Sequence, residues 1–225
     1  MRGLFVAGTD TGAGKSVVAA AICAALAARG ERVAAFKPAV TGLADEPGGC
    51  PPDHELLAST ASAGQTPDQV APYRFGPAVS PHLAAELAGA AIDPAGLTAA
   101  ARRAAAGADA LVCEGVGGLM VPLTPGYLVR DLAIDLELPV VIAARTGLGT
   151  INHSLLTVES ARGAGLRVAA VVMTPWPEDP DPLELSNRRT VELLGGVSVV
   201  GLAPTEPSLL AEAGSALPLD DWLAD

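Results

Sequence analysis

The sequence predicts an α/β fold, a mostly parallel sheet with helices packed on both faces. Two patterns carry that expectation. Short apolar runs recur at Gly3 to Ala7, Arg32 to Phe36, Ala110 to Cys113, Val140 to Ala144, Val168 to Met173 and Val197 to Leu202. Segments of helical periodicity separate them, and continuous apolar runs alternating with helices imply strands buried on both sides.

The first run ends at Gly8 and, after a turn-rich stretch, gives way to an Ala-rich helix from Lys15 to Arg29 that Gly30 closes. Further helices are expected at Asp53 to Ala63, Pro81 to Ala90, Pro94 to Ala106, Leu128 to Leu136, Asn152 to Ala164 and Leu183 to Leu194. Leu43 to Pro52 and Pro175 to Pro182, rich in Gly and Pro, read as surface loops within one repeating pattern. The tail from Pro204 has weak periodicity and is expected to end in a helix and an irregular arm. No internal repeat is present, and a chain of 225 residues and 22.4 kDa reads as a single domain spanning 1–225.

Composition narrows the function classes. Half the residues are apolar and the mean hydropathy is +0.39, which excludes a wholly disordered chain. Aromatic residues make up only 3%, leaving few rings for base stacking, and a net charge of −11 repels phosphate polymers and anionic lipid surfaces. Neither a nucleic acid nor a membrane is therefore an expected partner. The longest apolar run, Val17 to Ala28, is too short to cross a bilayer, and the N-terminus carries no export signal. Cys23, Cys50 and Cys113 are an odd number at wide spacings, which argues against a disulfide framework or a zinc site and fits a cytoplasmic location.

In such a sheet the chemistry lies in loops beyond the carboxyl ends of the strands. After the first strand comes GTDTGAGKS, Gly8 to Ser16, close to the phosphate-binding pattern G-x-x-x-x-G-K-[ST]. It departs at the front, where Thr9 takes the first glycine position. Gly12 and Gly14, with Thr11 and Ala13, still allow the backbone to curl so that N–H groups meet a phosphate at the positive end of the next helix. Lys15 would reach the terminal phosphates and Ser16 would offer a hydroxyl to magnesium. The architecture so implied is of the P-loop NTPase type, with three layers.

Of the fourteen cationic side chains only Lys15 and Lys37 are lysines, so codon bias or a need for a compact ammonium has kept lysine at these two places. Lys37 opens KPAVTG at the end of the second strand, beside the phosphate loop. Thr41 adds a hydroxyl there, as a site residue or a turn cap. Glu114 ends the buried run ALVC and precedes GVGG, where a magnesium-binding acid belongs. Asp53 reads equally as a magnesium ligand or a helix cap. His54, His82 and His153 are scattered and receive no catalytic role.

Together GTDTGAGKS, KPAVTG, SPHLAAE (Ser80 to Glu86), EGVGGLMVPL (Glu114 to Leu123) and VVIAARTGLGTINHSLLTVE (Val140 to Glu159) resemble dethiobiotin synthetases, in this order and across residues 3 to 160. The resemblance implies closure of the ureido ring of 7,8-diaminopelargonate with carbon dioxide and ATP in biotin synthesis. A substrate amine becomes a carbamate, which attacks the γ-phosphate; the carbamic-phosphoric anhydride then loses phosphate as the second amine closes the ring. It also implies that Lys15, Thr11 and Ser16 hold phosphates and metal, that Lys37 contacts the γ-phosphate and carbamate, and that Asp53 and Glu114 complete a Mg2+ shell. Thr41 and Ser80 would meet the diamine. The family is homodimeric, and Gly149, Thr150, Ile151 and Asn152 of a second subunit would receive the substrate carboxylate at a helix start. Many members carry Asn where this chain has Thr174, before Pro175, so the adenine edge loses an amide partner; backbone around Pro204 remains to read it.

Two other classes compete. A P-loop switch ATPase of the chromosome-partitioning type would carry a signature lysine where this chain has Asp10, and often a basic amphipathic helix where the tail here is acidic. An amide-forming ligase of related fold would usually add a glutaminase domain, for which 225 residues leave no room.

Overall fold

The computed structural model describes residues 1–45 and 51–224. Residues 46–50, half of the expected loop from Leu43 to Pro52 and including Cys50, lie outside the described residues, as does Asp225. The chain runs β1 (Gly3–Gly8), α1 (Lys15–Ala28), β2 (Val33–Phe36), β3 (Ala39–Val40), α2 (Asp53–Thr60), α3 (Pro67–Val70) and β4 (Tyr73–Arg74). It continues through α4 (Pro81–Leu87), α5 (Pro94–Ala105), β5 (Ala110–Gly118), β6 (Pro122–Thr124), β7 (Tyr127–Leu128), α6 (Val129–Leu136) and β8 (Val140–Ala144). Last come α7 (Thr150–Gly163), β9 (Val168–Met173), α8 (Pro182–Gly195), β10 (Val199–Gly201), α9 (Leu210–Ser215) and α10 (Leu219–Leu223).

Six strands form one parallel sheet in the order β10-β9-β8-β1-β5-β2. Alternation along β1 divides the core: Leu4 and Val6 face one helical layer, Phe5 and Ala7 the other, and all four are fully buried. On the first side Ile22, Leu26, Leu57, Leu210 and Trp222 bring in α1, α2, α9 and α10; on the second Ala84, Leu97, Leu132, Val158 and Val191 bring in α4 to α8. This is the expected three-layer arrangement. The order places β1 centrally, with β5 and β8 as its neighbours, so the loops after these strands converge at one edge.

Several boundaries differ from the sequence reading, each for a physical reason. β5 runs to Gly118, beyond the apolar stretch ending at Cys113, because β1 continues beside it and Gly8 pairs with Gly118. A glycine suits the interior of that strand: a Cβ on Gly115 would stand 2.9 Å from Val129 and 3.1 Å from the Phe5 ring. α7 begins at Thr150, two residues before the expected Asn152, because Gly149 takes the left-handed conformation (φ 93°) at its N-cap.

The tail ends in helix as expected, in the two pieces α9 and α10, but it is packed down where an irregular arm was expected. Gly214 of α9 crosses α1 so closely that a Cβ there would lie 2.1 Å from the Ala21 carbonyl oxygen, and Leu210, Leu217, Leu219 and Trp222 are buried. Arg167 fastens the end by donating from Nη2 to the carbonyls of Trp222 (2.7 Å) and Ala224 (2.8 Å). Truncating Trp222 to alanine would cost about 3–5 kcal/mol by the usual measure for a buried aromatic residue.

Candidate active site

The loop from Thr9 to Gly14 joins the central strand to the buried helix α1, and its glycines carry its shape. Gly12 (φ 70°) and Gly14 (φ 88°) are left-handed. Gly14 also has no room for a side chain, since a Cβ would lie 2.3 Å from the Thr174 methyl. The glycine displaced to position 8 has its own reason: Lys15 folds back over it, and a Cβ there would sit 2.9 Å from the lysine side chain. Lys15 then donates from Nζ to the Asp10 carbonyl at 2.9 Å, inside the curl of the loop.

One strand end, one strand interior and one helix start supply the charged groups. Lys37 follows β2, Glu114 lies within β5, and Asp53 is the first residue of α2. Lys37 Nζ lies 2.5 Å from Glu114 Oε1 and 2.8 Å from Asp53 Oδ2. The Ser16 hydroxyl bridges the same acids, 2.7 Å from Asp53 Oδ1 and 2.8 Å from Glu114 Oε1. Asp53 is not the helix cap: Pro52 holds that position, and the Asp53 carboxylate meets Ser16 and Lys37.

The electrostatics follow from burial and pairing. Burial lowers the Lys15 ammonium from its ordinary value, and the Lys37 charge adds to the effect while Glu114 opposes it. Burial alone would do the same to Lys37, but the charges and hydrogen bonds of Glu114 and Asp53 outweigh it and hold Lys37 protonated. Asp53, which burial would raise, is lowered by Lys37 and by its bonds to Lys37 and Ser16. Glu114 is fully buried and raised by that burial, against the pull of Lys37. Its second oxygen, Oε2, is buried without a hydrogen-bond partner. A buried, unpaired carboxylate oxygen beside a hydroxyl and another carboxylate is a donor set for a hard divalent cation that keeps several waters.

These groups line one end of a cavity of about 740 Å³, large enough for a small organic substrate beside a triphosphate end. Thr11, Gly12, Gly14, Lys15, Ser16, Lys37, Asp53 and Glu114 belong to it, and so do Thr41 and Ser80 from the facing wall. Thr41 lines the cavity. Ala13 is buried behind the loop. Gly149, Thr150, Ile151 and Asn152 do not border this cavity; they start α7, with Thr150 in a separate small pocket beside Asp10 and Arg145. Thr174 is buried with its methyl on Gly14, and Pro204 is exposed in the loop after β10.

Sequence reasoning passed over Arg145 and Asn187. Arg145 donates from Nη2 to the Thr11 carbonyl at 2.9 Å, and Asn187 Nδ2 donates to the carbonyls of Thr146 (2.8 Å) and Gly147 (3.2 Å). A cation one residue beyond a buried strand, next to the phosphate-loop strand, was the signal available for Arg145. For Asn187, on a polar helix, there was none.

A central parallel sheet with a glycine loop, its lysine and hydroxyl, and an acid on the adjacent strand define a P-loop nucleotide-binding protein. The solved structures it resembles agree at the level of fold: a ParA family ATPase from Chlorobium tepidum (TM-score 0.56, 12% identity, 97% of this chain and 92% of that one) and the septum site-determining protein MinD from Pyrococcus horikoshii complexed with Mg-ADP (TM-score 0.53, 17% identity, 95% and 85%). A family model described as an AAA domain matches residues 2–213. The chain is 41% identical to the ATP-dependent dethiobiotin synthetase BioD of Anaeromyxobacter dehalogenans strain 2CP-1, over 96% of this chain and 95% of that protein. It is 33% identical to the protein of that name from Bacillus subtilis strain 168, over 91% and 87%. It belongs to the dethiobiotin synthetase family.

Proposed function

We propose that the chain closes the ureido ring of 7,8-diaminopelargonate with carbon dioxide and ATP, acting as an ATP-dependent cyclo-ligase. The observation that carries this reading is the meeting of both lysines of the chain in one cavity, with Lys37 held between two carboxylates at the junction of the phosphate loop and the Thr41 and Ser80 wall. Carbamate and γ-phosphate are both anionic, so the barrier to their approach is largely electrostatic, and preorganised cations are what such a transfer needs.

In the proposed mechanism the amides of Gly12 to Ser16 hold the phosphates, with Lys15 on the terminal ones. Ser16, Asp53 and Glu114 would hold Mg2+, which when bound neutralises charge on the transferred phosphoryl group. Lys37 faces both the γ-phosphate and the carbamate and lowers the repulsion between them. Thr41 and Ser80 orient the amines, so that the second amine meets the activated carbonyl carbon and expels phosphate. No side chain has to become a covalent nucleophile.

The residues that start α7 do not line the cavity of their own chain. We infer a homodimer in which Gly149, Thr150, Ile151 and Asn152 of one protomer receive the substrate carboxylate of the other. Leu148, 92% exposed, with Met120 and Leu156 also exposed on this side, supplies apolar surface for such a contact. No helix among the described residues is long and apolar enough to cross a membrane.

Supplying labelled bicarbonate tests the reading. The product isolated from diaminopelargonate and ATP should carry the label in its ureido carbon; an unlabelled product, or none, would overturn the assignment.

A further inference from the structure

The crest of the phosphate loop contains two successive peptides held in opposite senses. In the Asp10–Thr11 peptide the carbonyl turns inward to Lys15 Nζ at 2.9 Å, and the Thr11 N–H is taken by Asp10 Oδ1 at 2.7 Å. In the Thr11–Gly12 peptide the carbonyl turns away, to Arg145 Nη2 at 2.9 Å. A trans peptide is planar, with its C=O and N–H pointing in opposite directions. Drawing the Thr11 carbonyl toward Arg145 therefore aims the Gly12 N–H back toward the cavity, where a phosphate would lie.

This peptide has little resistance of its own to turning over. Gly12 sits at φ 70°, and a glycine tolerates either orientation at small cost. Turned over, the peptide would present a carbonyl oxygen to the phosphates instead of an N–H. Arg145 is placed to prevent that. Its own carbonyl accepts the Thr150 hydroxyl at 2.6 Å, and Asn187, 3% exposed, holds the next two carbonyls of the same loop. The guanidinium shares a small pocket with Asp10, so it also sets a positive charge beside the one acid of the loop. It does not line the large cavity.

We propose that Arg145 is a positioning residue that clamps the Thr11 carbonyl and so presents the Gly12 N–H to the nucleotide phosphates. The inference rests on the reading of the loop as a nucleotide site, but not on the identity of the second substrate. Its contribution should appear in ground-state nucleotide binding, since a fixed amide meets the phosphates before and during transfer alike.

The test is the dissociation constant of magnesium ADP and ATP, measured without the diamine, for the parent, Arg145→Ala and Arg145→Lys, with kcat, KM and melting temperature alongside. Arg145→Ala should weaken nucleotide binding about tenfold, the size expected for one charge-assisted hydrogen bond, and raise the KM for ATP in parallel. Its kcat at saturating ATP should stay within about threefold of the parent, as for loss of uniform binding. Arg145→Lys, whose ammonium can donate to the same carbonyl, should recover most of the affinity. If the parent binds nucleotide and Arg145→Ala binds it within about twofold as well, the inference falls alone. If the parent binds none, the nucleotide reading falls with it. A loss of affinity that Lys does not restore, matched by a lowered melting temperature, would reduce Arg145 to a structural role and overturn the proposal.

Discussion

Lys37 Nζ lies 2.5 Å from Glu114 Oε1, with the lysine side chain 3% exposed and the glutamate fully buried. Both ions have left water, so each depends on the other and on Asp53, and neither is free to drift. A cation fixed at that point is worth most where a new negative charge arrives. Lys37→Ala should therefore lower kcat about a hundredfold or more, in the range seen on removing one preorganised transition-state donor, while nucleotide affinity falls much less. Measuring turnover and nucleotide binding on the same preparation checks this; near-normal turnover would contradict the role given to Lys37.

Glu114→Gln keeps the volume and a hydrogen-bond acceptor for Lys37 but removes the charge and one acceptor oxygen. Since Glu114 Oε2 is the buried atom left without a partner, the variant should fold and need more magnesium for half-maximal activity. Activity titrated against magnesium decides it. An unchanged midpoint would make Glu114 a partner of Lys37 only.

How much of this was legible in the sequence depended on the range of the interaction. Val140–Ala144 and Val168–Met173 are the strands expected because an apolar run bounded by helices is a local signal. The two-residue strands β3, β4 and β7 have no such signal, being too short for any period to show. The helix of the tail was legible, but its packing was not, because contacts such as the close crossing of Gly214 on Ala21 are encoded in no local pattern. In the site, GTDTGAGKS, Lys37 and Glu114 stood out because residue type coincided with the end of an apolar run, although β5 itself continues past Glu114 to Gly118. Whether Asp53 caps a helix or turns inward depended on Ser16 and Lys37, far away in sequence, and so was settled only in three dimensions.

Thr174 bears on nucleotide choice. Its methyl lies against Gly14 and its N–H is spent on the Ala144 carbonyl. Trp176, two residues on, packs against Gly201 and has the Arg188 guanidinium 5.5 Å from its ring centroid. We propose that the base is read by backbone near Pro204, which is exposed in the loop after β10. ATP should be used with weak preference over the other triphosphates, and Thr174→Asn should sharpen that preference by about 1–3 kcal/mol, the cost of leaving a buried polar group unpaired with the wrong base. Competing all four triphosphates at limiting concentration reads this out; strong ATP preference in the parent, unmoved by the substitution, would place base selection elsewhere.

The proposed subunit contact makes a separate prediction. Leu148 stands at the loop before α7, almost fully exposed in one protomer. Leu148→Asp should shift the protein from dimer to monomer and raise the KM for the diamine, while magnesium nucleotide binding stays within about twofold of the parent. Light scattering during gel filtration gives the mass. A parent that is monomeric and active would contradict the shared site.

Phosphate release tests the central claim most directly. It should be measured with magnesium ATP alone, with diaminopelargonate added, with bicarbonate added, and with both. A carbamate must form before the γ-phosphate has an acceptor, so release should be negligible except in the complete mixture, and one dethiobiotin should appear for each phosphate. Release at the same rate without the diamine would instead describe a nucleotide-hydrolysing switch and contradict the account.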